Sequence, residues 1–180
     1  MINFSSSPYL VIFQVDGINP DGVSSTRRET PLLLAANKGH AEVISALTSA
    51  GADLTVSTSD TGETVLHCIL KNGRRNDPCY LASLQAILSP EGANSAQVAA
   101  IVNRRDLLGN TALHYATQMW PQDVVRSLLD AGANIGMRNH WHETPVAKIL
   151  PATLEAYLDE VRTSYAFKRK EPVAGMRLFV

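Results

Sequence analysis

The residue types able to do chemistry fall in a few short stretches of this chain. The densest is His140-Trp141-His142-Glu143. Alternate residues of an extended segment point to one side, so His140 and His142 could share a metal ion. No second ligand pair stands at zinc-site spacing, and neither Cys68 nor Cys79 is close in sequence. A polar hairpin tip is the plainer reading, and no metal is expected. His67 and His114 each close a Thr-x-Leu-His tetrad opened by Thr64 and Thr111. There an imidazole and a threonine hydroxyl can satisfy backbone groups around a tight turn, a structural task. Catalysis would need a nucleophile alongside, and the sequence offers only Cys68, next to His67. Two cysteines are too few for a disulfide framework. They read as free thiols of a cytosolic protein rather than a reactive pair. Lys168-Arg169-Lys170 offers a localisation signal or a lipid-facing patch, but three charges in a tail read more simply as a solvated run. Phosphate-cradling glycine loops, a Gly-x-Ser-x-Gly elbow and paired carboxylates with an evident site are missing from the sequence. The chain is therefore expected to be no enzyme and to use no cofactor.

What must position these residues is a repeat. Thr30, Thr64, Thr111 and Thr144 each stand where a helix would open, at spacings of 34, 47 and 33 residues. A unit of about 33 residues suits stacked helix pairs, and the long middle spacing carries an insertion. Pro31 follows Thr30 at the first helical position, where its missing N–H costs nothing. Gly51 and Gly132, each followed by Ala and then Asp53 or Asn134, supply the left-handed residue that ends a second helix. In the first unit Leu32, Leu33, Ala35 and Ala36 face inward, joined by Val43, Ile44 and Leu47. In the second, a first helix ends near Asn72-Gly73 and Arg74 to Pro78 form an extra loop. Tyr80 to Leu88 make its second helix, with Leu81, Leu84, Ile87 and Leu88 inward, and Ser95 to Val102 a further short one. The third unit, Gly109 to Asn134, is the best formed, with Pro121 between its helices. The fourth opens on Glu143-Thr144-Pro145 and is split by Pro151. Leu33 and Ala147 stand in place of His67 and His114, so those two turns lose a hydrogen bond. His142 stands where Gly62 and Gly109 do, and a side chain there strains or reshapes the turn.

Thr-x-Leu-His closed by Leu-Leu-x-x-Gly-Ala resembles the ankyrin repeat. The resemblance implies an all-α solenoid of stacked helix-turn-helix units with hairpin loops. Gly17 lies 13 residues before Thr30, as Gly51 lies 13 before Thr64. Residues 1–21 are accordingly expected to be a partial N-terminal repeat or cap. Residues 22–161 would hold about four repeats, the second with an insertion near 73–103 and the last degenerate, and 162–180 a tail. A half repeat leaves apolar surface uncovered, which implies a fragment, a truncated isoform or an improvised cap.

The 180 residues are 45% hydrophobic and 18% charged, which suits a folded chain, and a net charge of −1 gives no reason to expect nucleic acid. The apolar run Tyr9 to Phe13 is far shorter than the ~20 residues of a membrane span. No Lys or Arg precedes Arg27, so no signal peptide and no transmembrane segment are expected in this sequence.

A narrower likeness lies downstream. Asn134-Ile135-Gly136-Met137-Arg138-Asn139, followed by the run from Glu143-Thr144-Pro145 through Ile149-Leu150-Pro151 to Leu158-Asp159, resembles the last ankyrin repeats of TRPA-type cation channels. The painless and pyrexia types of insects are the most similar members. The resemblance extends over roughly Asp16 to Val161. It implies a cytosolic ankyrin array, at the inner face of the plasma membrane, on a tetrameric calcium-permeable channel sensing heat or irritants. The sequence has no six-helix region or pore, so conduction is not expected of it. The expected role is a non-catalytic interaction domain whose concave face binds a protein partner or channel subunits. The alternative is a free-standing cytosolic adaptor; a metal or cysteine enzyme is remote. Contacts are expected on residues 57–60, 104–108 and 138–142, with Ser57, Asp60, Arg104, Asp106, Arg138, His140 and His142 as candidates.

Overall fold

A computed structural model describes residues 29–73, 77–88 and 95–145. Among them the chain forms seven helices and no strand: α1 (Pro31–Lys38), α2 (Ala41–Ser49), α3 (Val65–Asn72), α4 (Pro78–Leu88), α5 (Ser95–Ile101), α6 (Ala112–Met119) and α7 (Gln122–Asp130). The expected terminal segments and the fourth unit beyond Pro145 lie outside the described residues. None of the described helices is long and apolar enough to cross a membrane.

The helices are too short to be stable alone, so packing must hold them. First helices stack on first helices, α1 on α3 and α3 on α6, while second helices stack α2 on α4 and α4 on α7. The middle helix α3 is consequently covered on both sides, and Val65 to Leu70 are all buried. Leu32, Leu33, Ile44, Leu47, Ile87, Leu113 and Leu128 complete an aliphatic core of nearest-neighbour interfaces, as expected of a solenoid.

Local chemistry sets the helix ends. Thr30 accepts from the Leu33 N–H through Oγ1 at 3.3 Å, and Pro31 opens α1. At the end of α2, Gly51 N–H donates to Thr48 O and Ala52 N–H reaches back to Leu47 O, both at 3.0 Å. Gly132 and Ala133 close α7 the same way, on Leu129 O and Leu128 O. The second unit contributes α4 as its second helix and the additional short helix α5. Helix α4 starts at Pro78 rather than Tyr80, because Asp77 Oδ1 accepts from Cys79 N–H at 3.0 Å and proline suits the first turn. Of its expected inward residues, Leu84 and Ile87 are buried and Leu81 and Leu88 only partly so. Asn103, just past α5, pairs with the backbone after α7: Oδ1 accepts from Asn134 N–H and Nδ2 donates to Gly132 O.

Two aromatic side chains seal the first helices. Tyr80 lies over Gly39 and donates to Asn37 O at 2.9 Å, while Trp120 lies over Gly73 and donates to Leu70 O at 2.8 Å. Both acceptors are last-turn carbonyls that the helix leaves unpaired. A Cβ on Gly73 would sit 2.5 Å from Trp120 Cζ2, so only glycine admits the ring.

Candidate interaction surface

Between the helix pairs the chain reverses three times, at residues 58–63, 106–110 and 139–143. Each turn is closed by a backbone bond of 2.9 Å, from Thr58, Asp106 and Asn139 N–H to the carbonyls of Glu63, Asn110 and Glu143. The first residue folds its side chain inside. Asp106 Oδ1 accepts from the N–H groups of Leu108 and Asn110 at 2.9 and 2.8 Å, and Asn139 Oδ1 accepts from Trp141 and Glu143 at 3.0 Å each. Thr58 Oγ1 does this for Glu63 N–H in a turn one residue longer. Short side chains with an acceptor oxygen are suited to mimicking a backbone turn in this way.

The corner residue is left-handed every time: Gly62 at φ 68°, Gly109 at 77° and His142 at 61°. His142 therefore keeps the turn rather than reshaping it, at a steric cost of about 1 kcal/mol. That corner corrects the shared-ion geometry for His140 and His142, which assumed alternate positions on extended backbone. Among the described residues no group of three or more His, Cys, Asp or Glu could hold a metal ion.

The turns are tied to the helices by the two motif histidines. His67 Nδ1 faces the Thr64 N–H at 3.2 Å, and Nε2 faces Asn110 O at 3.1 Å. A carbonyl can only accept and an amide N–H can only donate, so the ring is neutral with its proton on Nε2. His114 repeats this with Thr111 N–H at 3.0 Å and Glu143 O at 3.1 Å. Burial lowers the pKa of both imidazoles, against the opposing pull of those carbonyls. The motif histidine thus caps its own helix and clasps the following turn.

Neighbouring turns also bond directly. Leu107 N–H donates to Thr61 O at 2.9 Å and His140 N–H to Leu108 O at 3.1 Å. Arg105 donates from Nε to Gly109 O and from Nη2 to Arg138 O, and Arg138 Nη1 donates to His142 O. Beneath them runs a polar chain. Tyr115 donates to Asp106 Oδ2 at 2.6 Å, Asn110 Nδ2 to Tyr115 Oη at 3.3 Å, and Asn139 Nδ2 to Asn110 Oδ1 at 3.0 Å. Burial, then the Asp106 hydrogen bond, pushes the Tyr115 hydroxyl pKa up.

Of the candidates read from sequence, Asp60, Arg104, Arg138, His140 and His142 are exposed and Ser57 is half-buried. Asp106 is 6% exposed and turned inward, its carboxylate committed to two amides and a phenol, so it is an internal strut and not a contact. Thr30, Thr64, Thr111, His67 and His114 are buried at helix starts. Large apolar side chains within the expected segments, none of them among the singled-out candidates, are exposed at the tips: Leu107 at 63%, Leu108 at 48% and Trp141 at 59%. Arg105 falls within the expected segment 104–108 without being singled out there, and Arg138 stands one repeat period further on, which is the available signal.

Stacked helix pairs joined by hydrogen-bonded turns, two of the three clasped by the preceding histidine, define a repeat solenoid with a presented edge. A family profile of three ankyrin repeats matches residues 5–95, and a single-repeat profile matches 108–140. The chain belongs to the ankyrin-repeat family. It is similar to an Arabidopsis thaliana protein named for a proposed E3 ubiquitin-protein ligase activity, with 35% identity over 115 residues, 64% of this chain and 25% of that protein. It is also similar to a mitochondrial disaggregase of Bos taurus, with 27% identity over 177 residues, 86% of this chain and 26% of that protein. The chain spans about a quarter of the length of these curated relatives.

Proposed function

We propose that this chain is a non-catalytic protein-recognition module that binds its partner along the turn edge. The observation that carries this is the exposure of Leu107, Leu108 and Trp141 on adjoining turns whose backbones are locked by hydrogen bonds. Large apolar side chains held out on a rigid frame lose little entropy on binding and make good anchors. The ankyrin stretch shared with a named ligase and a named disaggregase supports a module joined to different kinds of work in different proteins. A catalytic reading has little to stand on. Cys68 is buried, with its thiol pushed up to about 12 by desolvation and then by the Glu63 charge, and both ring nitrogens of His67 are engaged with backbone. The test is capture of partners from source cells by the wild-type chain and by Leu107→Ala/Trp141→Ala. Loss of the same partner at unchanged melting temperature is expected; undiminished capture refutes the assignment.

A finer reading places the module in the cytosol at the inner face of the plasma membrane, within the N-terminal array of a TRPA-type channel. It rests on the likeness of residues 134–159, of which 146–159 lie outside the described residues. Co-purification with channel subunits supports it, and an unrelated partner supports the free-standing adaptor instead.

A further inference from the structure

We infer that the tips of the turns 106–110 and 139–143 take a short acidic, apolar segment of a partner protein, in which Asp or Glu flanks a bulky aliphatic or aromatic residue. This rests on the recognition reading above and adds the chemistry of the partner. Two observations meet at these tips. The first is the exposure of Leu107, Leu108 and Trp141 on adjoining turns that the His140 N–H bond to Leu108 O ties together. The second is charge. Arg104, Arg105 and Arg138 are exposed in the same two segments, 104–108 and 138–142, and none of them has an ion-pair partner among the described residues. The guanidiniums of Arg105 and Arg138 bond to carbonyl oxygens, which orient them without cancelling their charge. Asp106, the nearest carboxylate in sequence, is turned inward, and Glu143 is half-buried against Asn139 Nδ2 at 3.2 Å.

The cationic field is local. The whole chain carries a net charge of −1, and exposed Asp60 bounds the field on the preceding turn. A patch this narrow suits one short segment better than an anionic membrane or a nucleic acid, whose binding draws on many cations. Bulky apolar groups supply the contact area, while the arginines select acidic flanks and quicken encounter.

The test selects short random peptides displayed on phage against the purified full chain, then measures their affinity by fluorescence anisotropy at low and high salt. Expected are sequences rich in Asp and Glu around Leu, Phe or Trp, with affinity falling as salt rises. Arg104→Glu should weaken them about tenfold, and Arg104→Glu/Arg138→Glu further. Arg104 makes no side-chain hydrogen bond among the described residues, so its reversal leaves the turn intact; circular dichroism and melting check this. Neutral or basic peptides, or acidic ones indifferent to Arg104→Glu, overturn the inference while leaving protein recognition standing. Phosphatidylserine vesicles bound in place of any peptide overturn both.

Discussion

His67 donates from Nε2 to the carbonyl oxygen of Asn110, 43 residues further along the chain, at 3.1 Å. His114 does the same to Glu143 across 29 residues. One imidazole thus accepts from the N-cap N–H of its own helix and holds the next turn in place, so local capping and inter-repeat coupling share a side chain. Repeat proteins derive their stability from such neighbour interfaces.

Replacing that ring should uncouple the repeats. His67→Leu leaves the buried Thr64 N–H without its acceptor and removes the bond to Asn110. The expected loss is about 2–4 kcal/mol, from one or two net hydrogen bonds and one unsatisfied buried donor. Urea unfolding followed by circular dichroism measures it. Leu33 holds this position in the first unit, where Thr30 alone caps the helix, so Leu33→Ala should act through lost packing only.

Acid should weaken the fold in a defined window. The folded-state pKa values of His67 and His114 lie below their ordinary value of 6.5. The unfolded chain therefore takes up protons first, and stability present above pH 6.5 is lost as pH falls toward the depressed folded values. Urea midpoints at a series of pH values should drop on the acid side of 6.5, and His67→Leu should flatten that slope.

His142 and Gly109 should respond in opposite directions. His142→Gly relieves a left-handed side chain at φ 61° and should stabilise by about 0.5–1 kcal/mol. Gly109→Ala meets φ 77° and also places a Cβ 2.9 Å from His140 N, so it should destabilise by about 2 kcal/mol or more. Thermal melts of the two variants check the pair.

Gly73→Ala should expel Trp120. The added carbon would overlap the indole, which then loses its bond to Leu70 O and its burial, at a cost of about 2–4 kcal/mol. The chain has two tryptophans, so the change is read in a Trp141→Phe background as a red shift of Trp120 fluorescence.

The ankyrin fold was legible because its signals are local. Thr30, Thr64 and Thr111 recur with the helix starts they cap, and Gly51 and Gly132 with the helix ends they close. The surface was less legible because burial is set by distant partners. Asp106 looks like a solvent-facing charge in sequence, yet Tyr115 and two amides draw it inside. Gly39 and Gly73 give no sign that Tyr80 and Trp120, 41 and 47 residues later, will lie over them. Asp77-Pro78 signals a turn and a helix start equally well, which is why the start of α4 at Pro78 is hidden in the sequence.

Site-specific photo-crosslinking tests the central claim most directly. A photoreactive phenylalanine analogue is placed in the chain at Trp141, at Leu107, or at exposed Ser45 of α2 as a control, and the chain is expressed in source cells. One protein crosslinked from positions 107 and 141, and absent from position 45, is the predicted result. Crosslinks from position 45 alone, or none from either tip, would contradict recognition along the turn edge.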